Sequence, residues 1–364
     1  MARERAETGG RSVRVVVGED SPLMQTLIVD ALQSDPAIQV VGRGGDGREV
    51  LRLVSELRPD CVTLDLEMPN MDGLETLRYL MSEWPTPVVI VSAHTAESAE
   101  IALACLEYGA VDIVPKTWGG NRFTAGELAE KVREAAGIDV RRQQFGPSGI
   151  AIGPKPRTAF APELEAVVII GASTGGPQAL MDIMPRFPRD LPAGIVVVQH
   201  MPADFTRYFA ERIDARSMLD ASEAQQGDYV APGRILVAPG GQHLLLGERD
   251  GRPSVLLLDK NERQQGVCPS IDFAMTSFAP VFRERLVGVV LTGMGRDGSA
   301  GCAAIRANGG TVICQDRTSS LVFGMPGAVV ECEAANYVVP LDGIADRVTQ
   351  TVGGLASREI AYEH

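Results

Sequence analysis

Residues 13–34 read VRVVVGEDSPLMQTLIVDALQS, and this stretch decides the fold. Its first six residues are a β-branched run without polar alternation, the pattern of a strand buried on both faces. Ser21 and Pro22 then open an amphipathic segment, since a serine cap and a proline in the first turn both favour a helix start. A fully buried strand feeding a helix is the unit of a parallel α/β sheet.

The same unit repeats outward from there. IQVVGRGG, PDCVTLDLEM, TPVVIVSAH and VDIVPK read as further strands. Between and after them, DGREVLRLVSELR, MDGLETLRYLMSE, SAEIALACLEYGA and TAGELAEKVREAA have helical periodicity. Residues 12–136 are therefore expected to form an α/β domain with a five-stranded parallel (βα)5 sheet covered on both faces. The periodicity fails over 137–163, where Gly, Pro and basic residues suit an exposed interdomain linker. A second alternation fills 164–356. AVVIIGAS, AGIVVVQHM, RLVGVVLTGMG, GGTVICQD and NYVVP read as strands, and GGPQALMDIMPRF, SAGCAAIRAN and GIADRVTQTV as helices. The stretch GRILVAPGGQHLLLGERDGRPSVLLLD has the glycine punctuation of an antiparallel insertion. The second domain is thus expected to be a doubly wound α/β fold with an antiparallel hairpin inserted.

Composition narrows the class. A chain of 364 residues with 45% hydrophobic and 22% charged residues suits two packed soluble domains. No apolar run reaches the ~20 residues needed to cross a bilayer, and the polar start MARERAETGGRS lacks a signal peptide's apolar stretch. A cytoplasmic protein without membrane insertion is expected, acting as a monomer. The net charge of −13 disfavours nucleic acid as a partner, because like charge repels the phosphate backbone. The six cysteines form no CxxC pair, so buried reduced thiols are expected rather than a disulfide or zinc framework.

In open α/β sheets, chemistry collects beyond the carboxyl ends of strands. Glu19 and Asp20 close the first strand and Asp65 the third, which are neighbours in a sheet of order 2-1-3-4-5. Three carboxylates in one pocket repel one another unless a cation joins them, and an all-oxygen set suits Mg²⁺. The metal would also offset repulsion between a carboxylate nucleophile and an incoming phosphoryl group. Ser92 ends the fourth strand and offers a hydroxyl to that group, while Lys116 ends the fifth and offers a compact cation. Any one of these is an ordinary loop residue; together they occupy one sheet edge.

The second domain carries Gly171-Ala-Ser173-Thr-Gly175, a G-x-S-x-G spacing between a strand and a helix. Such a turn exposes the hydroxyl beside backbone amides, although glycine-rich turns of this kind also bind phosphates. A serine nucleophile needs a base, most often histidine. The four histidines are His94 in the first domain, His364 at the end, His200 and His243. His200 follows GIVVVQ and should share the sheet edge of Ser173, whereas His243 lies in APGGQHLLLG and reads as structural within the insertion. Asp297, beyond VVLTGMGR, stands at the same edge as an acid to orient the imidazole, or as a cap for SAGCAAIRAN. The order Ser, His, Asp differs from the α/β-hydrolase order, so the elbow spacing does not imply that fold.

GEDSPLMQ, TLDLEMPNMDGLETL, IVSAHT and GAVDIVPK resemble the signature stretches of response-regulator receiver domains, which have a flavodoxin-like fold. IIGASTGGPQAL, VVVQHMP, YVAPGRILVAPGGQHLLL, CPSIDFAMTSFA, VVLTGMGRDGSAG and FGMPGAV resemble the catalytic domain of chemotaxis protein-glutamate methylesterases. The first resemblance implies that Asp65 accepts phosphate from the histidine kinase of a chemosensory pathway. It further implies that Glu19, Asp20 and Asp65 hold Mg²⁺, and that Ser92 and Lys116 sense the phosphoryl group. Glu19 stands where that family more often has Asp, and Thr117 follows Lys116 where it usually has Pro. The second resemblance implies Ser173 as nucleophile, His200 as base and Asp297 as orienting acid. Thr174 would shape the site and the backbone around Met294 would stabilise an oxyanion. The implied substrates are glutamate γ-methyl esters, and glutamines, of methyl-accepting chemotaxis receptors, with no cofactor for hydrolysis. The alternative reading is a response regulator whose second domain binds a partner or nucleotide without hydrolysis.

Overall fold

Buried β-branched runs become the central strands of both sheets, and several helices, among them those that follow Ser21, Asp46, Asp72 and Thr95, start at side chains that satisfy free amides. The computed structural model describes residues 12–93, 95–116, 125–142, 163–259 and 267–362. His94, Thr117, His364 and most of the linker read over 137–163 lie outside the described residues. The chain divides into two compact units, Met1–Gly146 and Pro147–His364. Among the described residues, no helix is long and apolar enough to cross a membrane.

The first unit alternates β1 (Val13–Gly18), α1 (Pro22–Gln33), β2 (Ile38–Gly44), α2 (Gly47–Leu57), β3 (Cys61–Asp65), α3 (Gly73–Glu83), β4 (Val88–Ser92), α4 (Ala96–Glu107), β5 (Asp112–Pro115) and α5 (Ala125–Ala136). Its strands pair in parallel in the order β2-β1-β3-β4-β5. β3 and β4 are buried along their whole lengths, as a sheet covered on both faces requires. Ser21, Asp46, Asp72 and Thr95 each accept an amide hydrogen bond from the first turn of the helix they precede. The core under α1 and α5 joins Val15, Val17, Ile28, Leu32, Leu128 and Val132.

The second unit has a seven-stranded parallel sheet and a separate antiparallel hairpin. Its strands are β6 (Ala166–Ala172), β7 (Ala193–Gln199), β8 (Asp220–Glu223), β9 (Arg234–Val237), β10 (Gln242–Arg249), β11 (Arg252–Asp259), β12 (Leu286–Val290), β13 (Thr311–Gln315) and β14 (Tyr337–Val339). The sheet order is β14-β13-β12-β6-β7-β9-β8, and β10 pairs with β11 alone. Its helices are α6 (Gly176–Ile183), α7 (Ala203–Arg216), α8 (Ile271–Phe282), α9 (Ser299–Ala307), α10 (Gly324–Glu331) and α11 (Leu341–Tyr362). The antiparallel insertion is narrower than its sequence suggested. RILV is β9 and pairs in parallel with β7 and β8, so the hairpin begins only at Gln242. β6, β7 and β12 are wholly buried at the centre of the sheet.

Candidate active site and acidic pocket

Both sheets reverse their strand order at one point. In the second unit the chain runs from β6 to β7 on one side and later lays β12 against the other side of β6. Such a reversal opens a crevice beyond the carboxyl ends of the strands. Ser173 follows β6, His200 follows β7, and the loop after β12 carries Met294 and Asp297.

Register brings the first two together. Ala172 pairs with Gln199, so Ser173 and His200 are the next residues on adjacent strands, whose backbones lie about 4.8 Å apart. The His200 amide donates to the Ala172 carbonyl, and the Ser173 amide to the Thr292 carbonyl, both at 3.1 Å. Gly293 closes on Ser173 from the β12 side. A Cβ placed on Gly293 would lie 2.8 Å from the Ser173 Cβ and would strike the Met325 sulfur.

His200 Nε2 lies 2.9 Å from Asp297 Oδ2. The same carboxylate receives the α8 N-terminus: Ile271 N–H donates to Oδ2 at 2.8 Å, Asp272 N–H to Oδ1 at 3.0 Å, and the Ser270 hydroxyl to Oδ1 at 3.1 Å. Burial opposes ionisation of Asp297, but the hydrogen bond and charge attraction of His200, with the amides of Asp272 and Ile271, hold its carboxyl below the usual range. Burial and the Asp297 charge push the adjacent Asp272 the other way, against the Gly301 amide bond. Asp297 does not cap α9, as its position in the sequence also allowed. Gly298 occupies that cap without a side-chain bond, and Asp297 serves the start of α8 instead.

Thr174 is buried, and its carbonyl accepts from the Thr292 hydroxyl at 3.0 Å. Met294 is 42% exposed at the rim. The Gly293 amide is engaged by the Val322 carbonyl. His243 lies on β10, and its Nδ1 accepts from the Ser270 amide. Several side chains supporting this site carry no signal in the sequence. Gln199 is buried, and its amide nitrogen donates to the carbonyls of both Ser173 and His200, at 3.0 and 3.1 Å. Gln315 accepts from the Thr292 amide at 2.7 Å and thereby fixes the end of β12 against the 316–323 loop. Their roles arise from contacts across tens of residues, which no local pattern reports.

In the first unit the order reverses between β1 and β3. Glu19 and Asp20 follow β1, and Asp65 ends β3. Lys116 Nζ lies 2.6 Å from Asp65 Oδ2 and 2.7 Å from Glu19 Oε2, and its amide donates to the Ser92 carbonyl at 2.6 Å. Ser92 is fully buried. Burial raises both the Asp65 and Glu19 carboxyls, with Lys116 pulling each down. Burial would lower Lys116, but its bonds to Asp65 and Glu19 hold it above the ordinary lysine range. Glu19, Asp20 and Asp65 each place an oxygen within 4.8 Å of the others, a hard donor set that fits a small divalent cation such as Mg²⁺. Glu19, Asp20, Asp65 and Lys116 thus meet in one pocket, while the Ser92 hydroxyl donates to the Ala93 carbonyl. In the second unit His200 meets Asp297, and Ser173 lies on the neighbouring strand end.

Family models match both units: the response regulator receiver domain over residues 15–126, and CheB methylesterase over 168–348. The fold and its two sites thus define a response regulator with a hydrolase-type output unit. A Pyrococcus abyssi protein-glutamate methylesterase/protein-glutamine glutaminase is 44% identical over 94% of both chains. A relative of the same name from Symbiobacterium thermophilum is 45% identical over 94% of this chain and 98% of its own. The crystal structure of the Thermotoga maritima CheB methylesterase catalytic domain is 42% identical, covering 51% of this chain and 97% of its own with a TM-score of 0.49. The chain belongs to the CheB methylesterase family.

Proposed function

We propose that this protein is a cytoplasmic, phosphorylation-activated methylesterase that hydrolyses glutamate γ-methyl esters of chemotaxis receptors and deamidates receptor glutamines. The observation that carries the reading is the 2.9 Å contact between His200 Nε2 and Asp297 Oδ2, one strand from Ser173. Because Asp297 occupies Nε2, the base atom is Nδ1. The Ser173 proton passes to His200 Nδ1 as Oγ attacks the ester carbonyl, and Asp297 stabilises the resulting imidazolium. With the Gly293 amide committed to Val322, the oxyanion falls to the segment beginning at Met294. His200 returns the proton to the leaving methoxide, methanol departs, and water activated by the same nitrogen releases the glutamate. A glutamine amide follows the same course, with ammonia leaving.

Asp65 is the phosphoacceptor in this reading, served by a chemosensory histidine kinase. Glu19, Asp20 and Asp65 would hold Mg²⁺, which supplies charge neutralisation for phosphoryl transfer. Lys116 neutralises Glu19 and Asp65 and presents its ammonium to a phosphoryl group, while Ser92 presents a hydroxyl. Phosphorylation replaces the single charge of the Asp65 carboxylate by an acyl phosphate of about −2, in a pocket where Lys116 already meets Glu19 and Asp65, and that change is the switch. The test is methanol release from methylated receptor membranes with and without a phosphodonor. Ser173→Ala should abolish release, and Asp65→Asn should remove the stimulation by phosphodonor alone. Methanol release persisting in Ser173→Ala would refute the hydrolase reading.

A further inference from the structure

One buried imidazole has no part in the proposed chemistry. His243 is 2% exposed on β10, and its Nδ1 lies 3.2 Å from the backbone amide of Ser270. An amide N–H only donates, so His243 Nδ1 is an unprotonated acceptor. Its ring meets Phe273 edge-on, with centroids 4.8 Å apart. A buried polar ring is costly unless it is hydrogen-bonded, and an apolar side chain would fill the same space at less cost. The Nδ1 acceptor is used by the Ser270 amide.

What the acceptor holds is the cap of α8. Ser270 is buried, takes the Phe273 amide on its Oγ at 3.3 Å, and directs its hydroxyl proton to Asp297 Oδ1 at 3.1 Å. Asp297 Oδ1 also takes the amides of Asp272 and Gly298, and Oδ2 takes that of Ile271. Both carboxylate oxygens are thus fixed from the α8 side before Oδ2 meets His200. The contacts run without a break from the β10–β11 hairpin through His243 and Ser270 to Asp297 and His200.

We infer that His243 and Ser270 are positioning residues for hydrolysis, setting the orientation of the Asp297 carboxylate toward His200. This rests on the reading of Ser173, His200 and Asp297 as nucleophile, base and acid. A purely structural pair would lower the melting temperature and leave the reactivity of each folded molecule unchanged. A positioning pair changes kcat but not KM, and changes the intrinsic reactivity of Ser173.

The experiment uses the full chain with Mg²⁺ and acetyl phosphate. It measures kcat and KM for methanol release from methylated receptor membranes, and the rate of covalent labelling by a fluorophosphonate, which reads the activation of Ser173 without a receptor. His243→Phe keeps a ring and removes the acceptor, whereas His243→Asn keeps an acceptor near the Nδ1 position. Ser270→Ala removes the hydroxyl, and Ser270→Thr keeps it. His243→Phe and Ser270→Ala should lower kcat and the labelling rate by about tenfold or more at unchanged KM, with Asn and Thr recovering most of the loss. Unchanged labelling per folded molecule in His243→Phe and Ser270→Ala would overturn the inference, as would failure of both Asn and Thr to recover it. Should His243→Phe not fold, the Ser270 pair decides. Ser173→Ala, run alongside, should take no label; labelling that survives in it would instead overturn the underlying triad reading.

Discussion

Single side chains decide both sites, and some decide stability away from them. Burial pushes the Glu134 carboxyl on α5 up to about 7, against the pull of Lys131 and with the repulsion of Asp112 and Glu130. A carboxyl raised on folding takes up protons that the unfolded chain releases, so it costs the fold stability as the pH rises. The penalty is absent below pH 4.5, grows between 4.5 and about 7, and is complete above that. Glu134→Gln should therefore stabilise the first unit above neutrality by about 1 kcal/mol, a figure reduced for the group's partial exposure. Urea unfolding of both proteins on either side of this window checks it. An advantage that is equal at acidic and alkaline pH would contradict the argument. Gln199 shows a different economy: one amide group holds the backbone of two proposed catalytic residues.

At the scale of elements, the loop after β12 is shaped by what its glycines lack. A Cβ on Gly293 would meet both Ser173 and Met325, and one on Gly324 would lie 2.9 Å from the Gly293 carbonyl. Gly293→Ala should displace the Ser173 turn, lowering methanol release by about a hundredfold and stability by about 1–3 kcal/mol. Activity assays paired with urea melts separate the two effects, and near-normal release would show that the turn tolerates the shift. Elements of this kind were unequally legible in the amino-acid sequence. Asp65, Ser173 and His200 could be placed because each ends or directly follows a buried β-branched run. RILV was misread as an arm of the hairpin because glycines flank it on both sides, and its parallel pairing with β7 depends on a crossover that leaves no local trace. DASE, the edge strand β8, has no apolar run because it pairs on one side only. The helix α8 carries Pro280 and was not read as a helix, yet its first amides hold Asp297. Without that helix, only the convergence of Asp297 with Ser173 and His200 at one sheet edge favours the orienting role over capping of α9.

For the whole molecule, two separate cores imply two separable responses to ligands. The first core gathers around Val15, Ile28 and Leu128, the second around Ile169, Phe278 and Ile305. A cation that binds only the folded acidic pocket stabilises the unit carrying it, by about 2.7 kcal/mol at a hundredfold excess over Kd. Calorimetry with added Mg²⁺ should show the transition of the first unit rising, and Asp65→Asn should shrink that rise. A shift of equal size in Asp65→Asn would place the metal elsewhere.

Each site stands where its sheet reverses strand order, with its reacting groups at or just beyond the ends of central strands. The proposed catalytic side chains thereby borrow the stiffness of the best-packed part of the fold, and little reorganisation is left to do during the proposed reaction. The rim divides the two demands within one residue: the Met294 side chain is exposed, while its backbone follows Gly293, whose amide is bonded to Val322. Divergence can therefore retune which protein surface is accepted through the Met294 side chain, while the backbone at that position stays with the bond-breaking apparatus. Recognition and chemistry are in this way separately adjustable.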